Sequence, residues 1–196
     1  MESNDSDRSG TPIIPSAIKI LVAGGFGAGK TTLVGAVSEI VPLSTEEVMT
    51  EASVGVDDLA GVERKQTTTV ALDFGRITIS DDLVLYLFGT PGQQRFWFMW
   101  EELAQGALGA VVLADTRRLD TCFPSVDFFE RHGVPFVVAV NCFEGAHYYT
   151  EQEVTEALTL NERVPVLLCD ARTRASAKEV LETLVRHVAA TAAAPA

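Results

Sequence analysis

The chain has 196 residues, of which 47% are hydrophobic and 21% charged, and its formal net charge is −12. By a guide of roughly 150 residues per domain this is one domain with a little over, and it holds too much apolar material for a wholly disordered chain. Fifteen Lys and Arg against twenty-seven Asp and Glu exclude a sequence-independent hold on nucleic acid, which needs a basic face to neutralise phosphates, and disfavour direct docking on anionic lipid.

The first sixteen residues, Met1 to Ser16, are polar and acidic and carry Gly10, Pro12 and Pro15. They lack the charged-then-apolar layout of a signal peptide and read as a disordered tail. Residues 191–196 read as a second short tail. Glu2 after Met1 gives no expectation of myristoylation, and Thr191 to Ala196 hold no Cys for which prenylation would be expected. No apolar run approaches the roughly 20 residues of a membrane span. Cys122, Cys142 and Cys169 are odd in number and widely spaced, which suits free thiols in a reducing cytoplasm rather than a disulfide framework or a zinc site.

Between the tails, an apolar run from Ile18 to Ala23 predicts a strand and leads into a Gly-rich loop. A helix is expected from Thr31 to about Ile40, ended by Pro42. From Leu43 to Gln66 the chain is acidic and irregular, with a short helix expected around Thr45 to Thr50. Two strand-like runs follow, Thr68 to Ile79 and Leu83 to Phe88, joined at Ser80-Asp81-Asp82 as an antiparallel hairpin. Val70, Leu72 and Phe74 share one parity and Ile77 and Ile79 the other, which predicts a bulge near Gly75.

Continuous apolar runs at Ala110 to Asp115, Pro135 to Asn141 and Val164 to Cys169 suit parallel strands covered on both faces. Helices are expected at about Phe96 to Gln105, Ser125 to His132, Glu151 to Leu160 and Ala177 to Ala190. Thr150 with Glu153 and Ser176 with Glu179 have the spacing of capping boxes. The sum is an α/β domain over residues 17–190: a six-stranded, mostly parallel sheet with one antiparallel edge strand and helices on both faces. Residues 41–66 form a long acidic segment, and no internal repeat is present.

Gly24-Gly25-Phe26-Gly27-Ala28-Gly29-Lys30-Thr31 fits the pattern GxxxxGK(S/T) without a mismatch, after a strand and at a helix start. Such a loop turns backbone N–H groups inward around a phosphate chain, and the helix N-terminus adds a favourable field. Gly25, Phe26, Gly27, Ala28, Gly29, Lys30, Thr31 and Thr32 are the expected phosphate cradle. Lys30 would reach the β- and γ-phosphates, and the Thr31 hydroxyl would bind Mg²⁺. The loop does not choose between ATP and GTP.

Thr69-Val70-Ala71-Leu72-Asp73-Phe74 and Leu87-Phe88-Gly89-Thr90-Pro91-Gly92-Gln93-Gln94-Arg95-Phe96, taken with that loop, resemble the switch I and switch II segments of Ras-like small GTPases. The resemblance runs from about Ile18 to Val188 and implies that residues 41–66 are an acidic insertion ahead of switch I. Thr67-Thr68-Thr69, the Gly-Thr-Pro-Gly-Gln run, Asn141-Cys142-Phe143-Glu144 and Cys169-Asp170-Ala171-Arg172 are similar to the conservon-type small GTPases of actinobacteria, relatives of the bacterial gliding-motility (MglA-like) GTPases. The resemblance implies a P-loop G domain that binds GDP and GTP with Mg²⁺ and hydrolyses GTP as a signalling switch.

Carried over by position, Thr69 (or Thr68) would complete the Mg²⁺ shell, Gly92 would offer its N–H to the γ-phosphate and Gln93 would orient the attacking water. Arg64 could serve as a cis arginine finger, a contribution worth about 10³–10⁵ in rate where it operates. Asn141 and Glu144 would choose the base, because a carboxylate accepts from guanine N1–H and the exocyclic amine, and adenine has no N1 donor. Ala171 would give a backbone N–H to guanine O6, with Arg172 where a Lys is common.

The chain departs from the Ras pattern in three places. Gly89 stands where an Asp usually holds a Mg²⁺ water, which puts metal affinity in question and implies slow hydrolysis without a partner. Cys142 lacks the long Lys stem that packs over the loop and base, and Glu144 adds a methylene to the usual Asp. The run Phe96-Trp97-Phe98-Met99-Trp100 cannot all face inward from one helix, so part of it is expected at an interaction surface. The family resemblance implies a roadblock-type regulator and a sensor-kinase-like membrane protein as partners, with any membrane association only through them. A non-hydrolysing GTP-binding adaptor and an ATP-dependent kinase or ATPase are the alternatives.

Overall fold

Ile20, Leu21, Val22 and Ala23 are all fully buried. A run apolar on both faces is stable only between two layers, and these residues form the middle of the first strand, β1 (Ser16–Gly24). The computed structural model describes residues 15–50, 67–92 and 98–193. After β1 come α1 (Lys30–Val37), β2 (Leu43–Thr50), β3 (Thr67–Ser80), β4 (Leu83–Gly89), α2 (Phe98–Ala104), β5 (Gly109–Ala114), a 3₁₀ turn at Leu119–Cys122, α3 (Phe123–His132), β6 (Phe136–Asn141), α4 (Glu151–Ala157), β7 (Val166–Cys169) and α5 (Arg174–Ala193).

The strands form one sheet in the order β2-β3-β4-β1-β5-β6-β7. β1 pairs in parallel with β4 and β5, and β5, β6 and β7 continue in parallel. β3 alone opposes its neighbours, running antiparallel to both β4 and β2. Alternation along each strand sends side chains to opposite faces. Ile20, Val22, Leu87 and Leu113 pack with Leu33, Val34, Val180 and Leu184 beneath α1 and α5. Leu21, Ala23, Val112 and Val138 pack with Val126, Phe129 and Val154 beneath α3 and α4. Each fully buried Leu or Phe contributes about 1.5–3 kcal/mol of transfer free energy.

The expected six strands are present as β3-β4-β1-β5-β6-β7, with β3 the reversed one. The structure adds a seventh, β2, so that β3 is flanked on both sides. The helix expected around Thr45 to Thr50 is therefore a strand. The unpaired edge of β3 offers a full ladder of hydrogen bonds, and that outweighs the weak local preference of an acidic segment. The bulge expected near Gly75 is also absent. Pairing runs without a break from Asp73 opposite Gly89 to Thr78 opposite Val84, and the register shifts only between Thr78 and Ser80. The parity change has a simpler cause: Ile77 packs on the α1–α5 side, while Phe74 meets Tyr86 and Phe88.

Thr150 and Glu153 form the expected capping box at the start of α4. Ser176 does not cap α5, which begins at Arg174; its hydroxyl accepts from the Asp170 N–H at 3.0 Å. The C-terminal tail expected from Thr191 is helical through Ala193, and Ser16, placed in the N-terminal tail, already belongs to β1. Residues 1–14 and 51–66 lie outside the described residues. All three cysteines are free, and burial pushes the Cys122 and Cys169 thiols up to about 12. Among the described residues no helix is long and apolar enough to cross a membrane.

Candidate nucleotide-binding site

The Gly-rich loop leaves β1 at the centre of the sheet and enters α1, on the carboxyl side of the parallel strands where open α/β sheets bind ligands. Gly27 and Gly29 have φ of 76° and 105°, values that L side chains rarely adopt. Gly29 has a second reason to be glycine, because a Cβ there would lie 2.5 Å from Asn141 Nδ2. The Ala28 N–H donates to Gly25 O, closing the turn at 3.2 Å. The first four N–H groups of a helix have no intrahelical acceptor, so Lys30, Thr31 and exposed Thr32 present their amides at the loop's mouth.

Lys30 Nζ donates to the carbonyls of Gly24 (3.0 Å) and Gly25 (2.8 Å), folding the side chain back over the loop. Burial pulls its pKa down to about 8, against the opposing pull of Asp73. Gly92 lies against the same group: a Cβ there would sit 2.8 Å from Lys30 Nζ and 2.9 Å from the Phe26 amide nitrogen. The loop and the Gly92 segment thus lie side by side, so close that a side chain at Gly92 would run into the Phe26 backbone.

The Thr31 hydroxyl donates to Asp73 Oδ2 at 2.7 Å. Asp73 is 7% exposed and pairs directly with Gly89 across the β3–β4 ladder. A Cβ on Gly89 would meet Asp73 Cβ at 2.9 Å and Oδ2 at 3.0 Å, so the Asp73 side chain fills the space above Gly89. Sequence reading names Gly89 as the place of a missing carboxylate and does not select Asp73. The available signal is an acidic residue within the apolar stretch Val70 to Phe74 of a strand. Nearby, the Thr90 hydroxyl is buried without a hydrogen-bond partner. A hydroxyl and a buried carboxylate within 3 Å are hard oxygen donors, the set that Mg²⁺ takes together with phosphate oxygens and waters, so these residues fit the ion.

On the base side, Asn141 uses both ends of its amide. Nδ2 donates to Ala28 O at 3.0 Å and Oδ1 accepts the Ala171 N–H at 3.1 Å. The side chain stitches the phosphate loop to the segment after β7. Arg172 turns to Asp170 in a two-point contact, both bonds 2.9 Å, and that contact, with a smaller share from the Glu144 charge, raises the guanidinium pKa. Glu144 itself is exposed in the turn after β6. Gln93 and Arg64 lie outside the described residues, as do Phe96 and Trp97, and Thr69 is placed here only as backbone paired with Val48 in β2. From the aromatic run, Phe98 is 62% exposed whereas Trp100 is buried, its indole N–H donating to Pro91 O and its ring stacked on Phe129.

Fold and loop together define a P-loop nucleotide-binding protein with the architecture of a G domain. Residues 22–191 match the model of the family described as "conserved hypothetical ATP binding protein", and the chain belongs to that family. An uncharacterized protein of Methanocaldococcus jannaschii, MJ1339, is 32% identical over 126 residues, 63% of this chain and 69% of that protein. Among solved structures, the G domain of the T. maritima FeoB iron transporter superposes with a TM-score of 0.57 at 18% identity, covering 88% of this chain and 99% of that one. The FeoB G domain of Methanococcus jannaschii gives 0.58 at 14% identity, covering 89% and 99%. At those identities the likeness is one of fold.

Proposed function

We propose that the chain is a GTPase switch, one that binds GDP and GTP, hydrolyses GTP slowly and passes the state of the γ-phosphate to partner proteins. The observation that carries this reading is the Thr31–Asp73 contact beside the phosphate loop. It restores, from the neighbouring strand, the carboxylate that Gly89 lacks. Mg²⁺ held by Thr31 and Asp73, with Thr69 as a further oxygen, would neutralise charge on the β- and γ-phosphates. The loop amides and Lys30 bind the same phosphates, Gly92 offers its N–H to the γ-phosphate, and Gln93 orients the water for in-line attack. Arg64 is the cis cation of this scheme. Because Gly92 lies so near Lys30 that a Cβ there would meet its Nζ at 2.8 Å, γ-phosphate between them would displace the Gly92 segment, and a partner responds as far as it distinguishes the two positions.

Guanine selection rests on Asn141 and Glu144, with Ala171 and Arg172 as further base contacts that would exchange their present partners, Asn141 and Asp170, for the base. A site whose carboxylate expects two donors leaves it unpaired with adenine. The wider setting follows the conservon-type resemblance: a cytoplasmic protein acting with a roadblock-type regulator and a sensor-kinase-like partner, reaching the membrane only through them and binding no nucleic acid. The family's description favours a second reading, an ATP-binding protein. Competition of GTP and ATP against a fluorescent GDP analogue, with and without Mg²⁺, decides between them. GTP is expected to win by at least tenfold, and ATP winning overturns the guanine assignment. Single-turnover phosphate release, lost in Gln93→Ala, tests hydrolysis; equal inertness of both proteins leaves only the adaptor.

A further inference from the structure

The loop after β5 carries Asp115-Thr116-Arg117-Arg118, which sequence reading assigns no role. Asp115 is 1% exposed. Its Oδ1 accepts from the Arg117 backbone N–H (3.0 Å) and Nε (2.8 Å), and its Oδ2 accepts from Arg117 Nη2 (2.8 Å). Arg118 Nη2 lies 3.6 Å from the same Oδ2. The two arginines then part. Arg117 lays its guanidinium over the Phe143 ring, 3.8 Å from the centroid, and Phe143 belongs to the base loop Asn141-Cys142-Phe143-Glu144. Arg118 Nη2 donates to Phe26 O in the phosphate loop at 2.8 Å.

We propose that Asp115, Arg117 and Arg118 form a two-armed brace that sets the phosphate loop against the base loop, supplying the link that Cys142, without a Lys stem, does not. The inference deepens the nucleotide-binding reading above and rests on it. Arg118 acts on the cradle through geometry. A trans peptide is planar, so the carbonyl of Phe26 and the N–H of Gly27 point in opposite directions. Holding that carbonyl outward keeps the Gly27 N–H turned inward, toward phosphate. Arg118 is half exposed, and its guanidinium joins a charge-assisted hydrogen bond to the Phe26 carbonyl with a longer, 3.6 Å ion pair to the buried Asp115 carboxylate. The guanidinium lies close over the loop: a Cβ at Gly27 would fall 3.2 Å from Arg118 Nη2. Arg117 and Arg118 are positioning residues, and no contact of theirs with substrate is invoked.

The test is the dissociation rate of N-methylanthraniloyl-GDP, with the ADP analogue run in parallel, from the full chain. The proteins are wild type, Arg118→Ala, Arg118→Lys, Arg117→Ala, and Arg118→Ala combined with Cys142→Lys. Loss of one charge-assisted hydrogen bond should speed release on the order of tenfold in Arg118→Ala, with the Lys variant intermediate. Cys142→Lys should recover most of that loss, which a merely structural role for Arg118 would not allow. Release within twofold of wild type in Arg118→Ala overturns the brace. So does failure of Cys142→Lys to slow release, or a loss accounted for by a lower melting temperature of the nucleotide-free protein. If wild type holds only the ADP analogue, the guanine reading fails and the same comparisons on ADP still judge the brace. A wild type that holds neither overturns both.

Discussion

Asp73 and Gly89 face each other across the β3–β4 ladder, and the carboxylate of one occupies the space that a side chain on the other would need. A carboxylate serving the Thr31 side of the phosphate loop can stand on either strand, but not on both. Asp73→Asn should abolish most of the Mg²⁺-dependent slowing of nucleotide release, read by adding excess chelator to the loaded protein. Gly89→Asp alone should not improve it, because its Cβ would already lie 3.0 Å from Asp73 Oδ2 and a second carboxylate there would crowd and repel the first. Asp73→Gly combined with Gly89→Asp should recover part of the metal effect. Full retention in Asp73→Asn would remove Asp73 from the site.

Lys30 gives the binding reaction a pH dependence. Its pKa is depressed to about 8 by burial. A bound polyanion favours the ammonium form and raises that value, so above pH 8 the complex holds a proton that the free protein has lost. Affinity should therefore be flat below about pH 7 and fall as pH rises toward 9, by at most about tenfold per pH unit. Titration calorimetry in buffers of different ionisation heat measures the proton uptake directly. Lys30→Met should bind more weakly and remove this part of the slope.

A Cβ on Gly92 would meet Lys30 Nζ at 2.8 Å and the Phe26 amide nitrogen at 2.9 Å, which leaves no room for a methyl group. Gly92→Ala should push this segment off the loop and spoil its response to the γ-phosphate. The expected result is a GTP-to-GDP affinity ratio moved toward one, with GDP affinity changed less than threefold. An unchanged ratio would count against Gly92 as the γ-phosphate sensor.

Stability and binding should separate at the capping box. Thr150→Ala removes the side-chain acceptor for the Glu153 N–H and should cost about 1 kcal/mol, with nucleotide affinity unaltered because, among the described residues, the side chains of Thr150 and Glu153 bond only within that pair at the helix start. Phe129→Ala, which empties a fully buried site in the second core, should cost about 3–5 kcal/mol. Denaturant unfolding of the two variants gives both numbers.

Much of this arrangement was legible in the amino-acid order because it is local. The eight residues from Gly24 to Thr31 specify a turn and a ligand class by themselves, and the apolar runs at Ala110 and Pro135 announce strands covered on both faces. Thr150 and Glu153 cap their helix by contacts three residues apart. Asp73 was not legible, because its meaning depends on which residue of β4 stands opposite it, a matter of cross-strand register. β2 escaped for the same reason: its ladder is made by a partner strand, not by its own composition. Asn141 was legible as a residue of the base loop but not as a stitch, since its partners Ala28 and Ala171 are 113 and 30 residues away.

The phosphate loop stands on β1, which is hydrogen-bonded on both sides and whose residues from Ile20 to Ala23 are sealed from solvent. Such a strand opens only when the whole domain does. Its amide protons should be the last to trade with deuterium, and ligand turnover should leave their protection unchanged. Entry and escape of a bound molecule are thus governed by the segments that cover the pocket, while the floor keeps its shape from one cycle to the next.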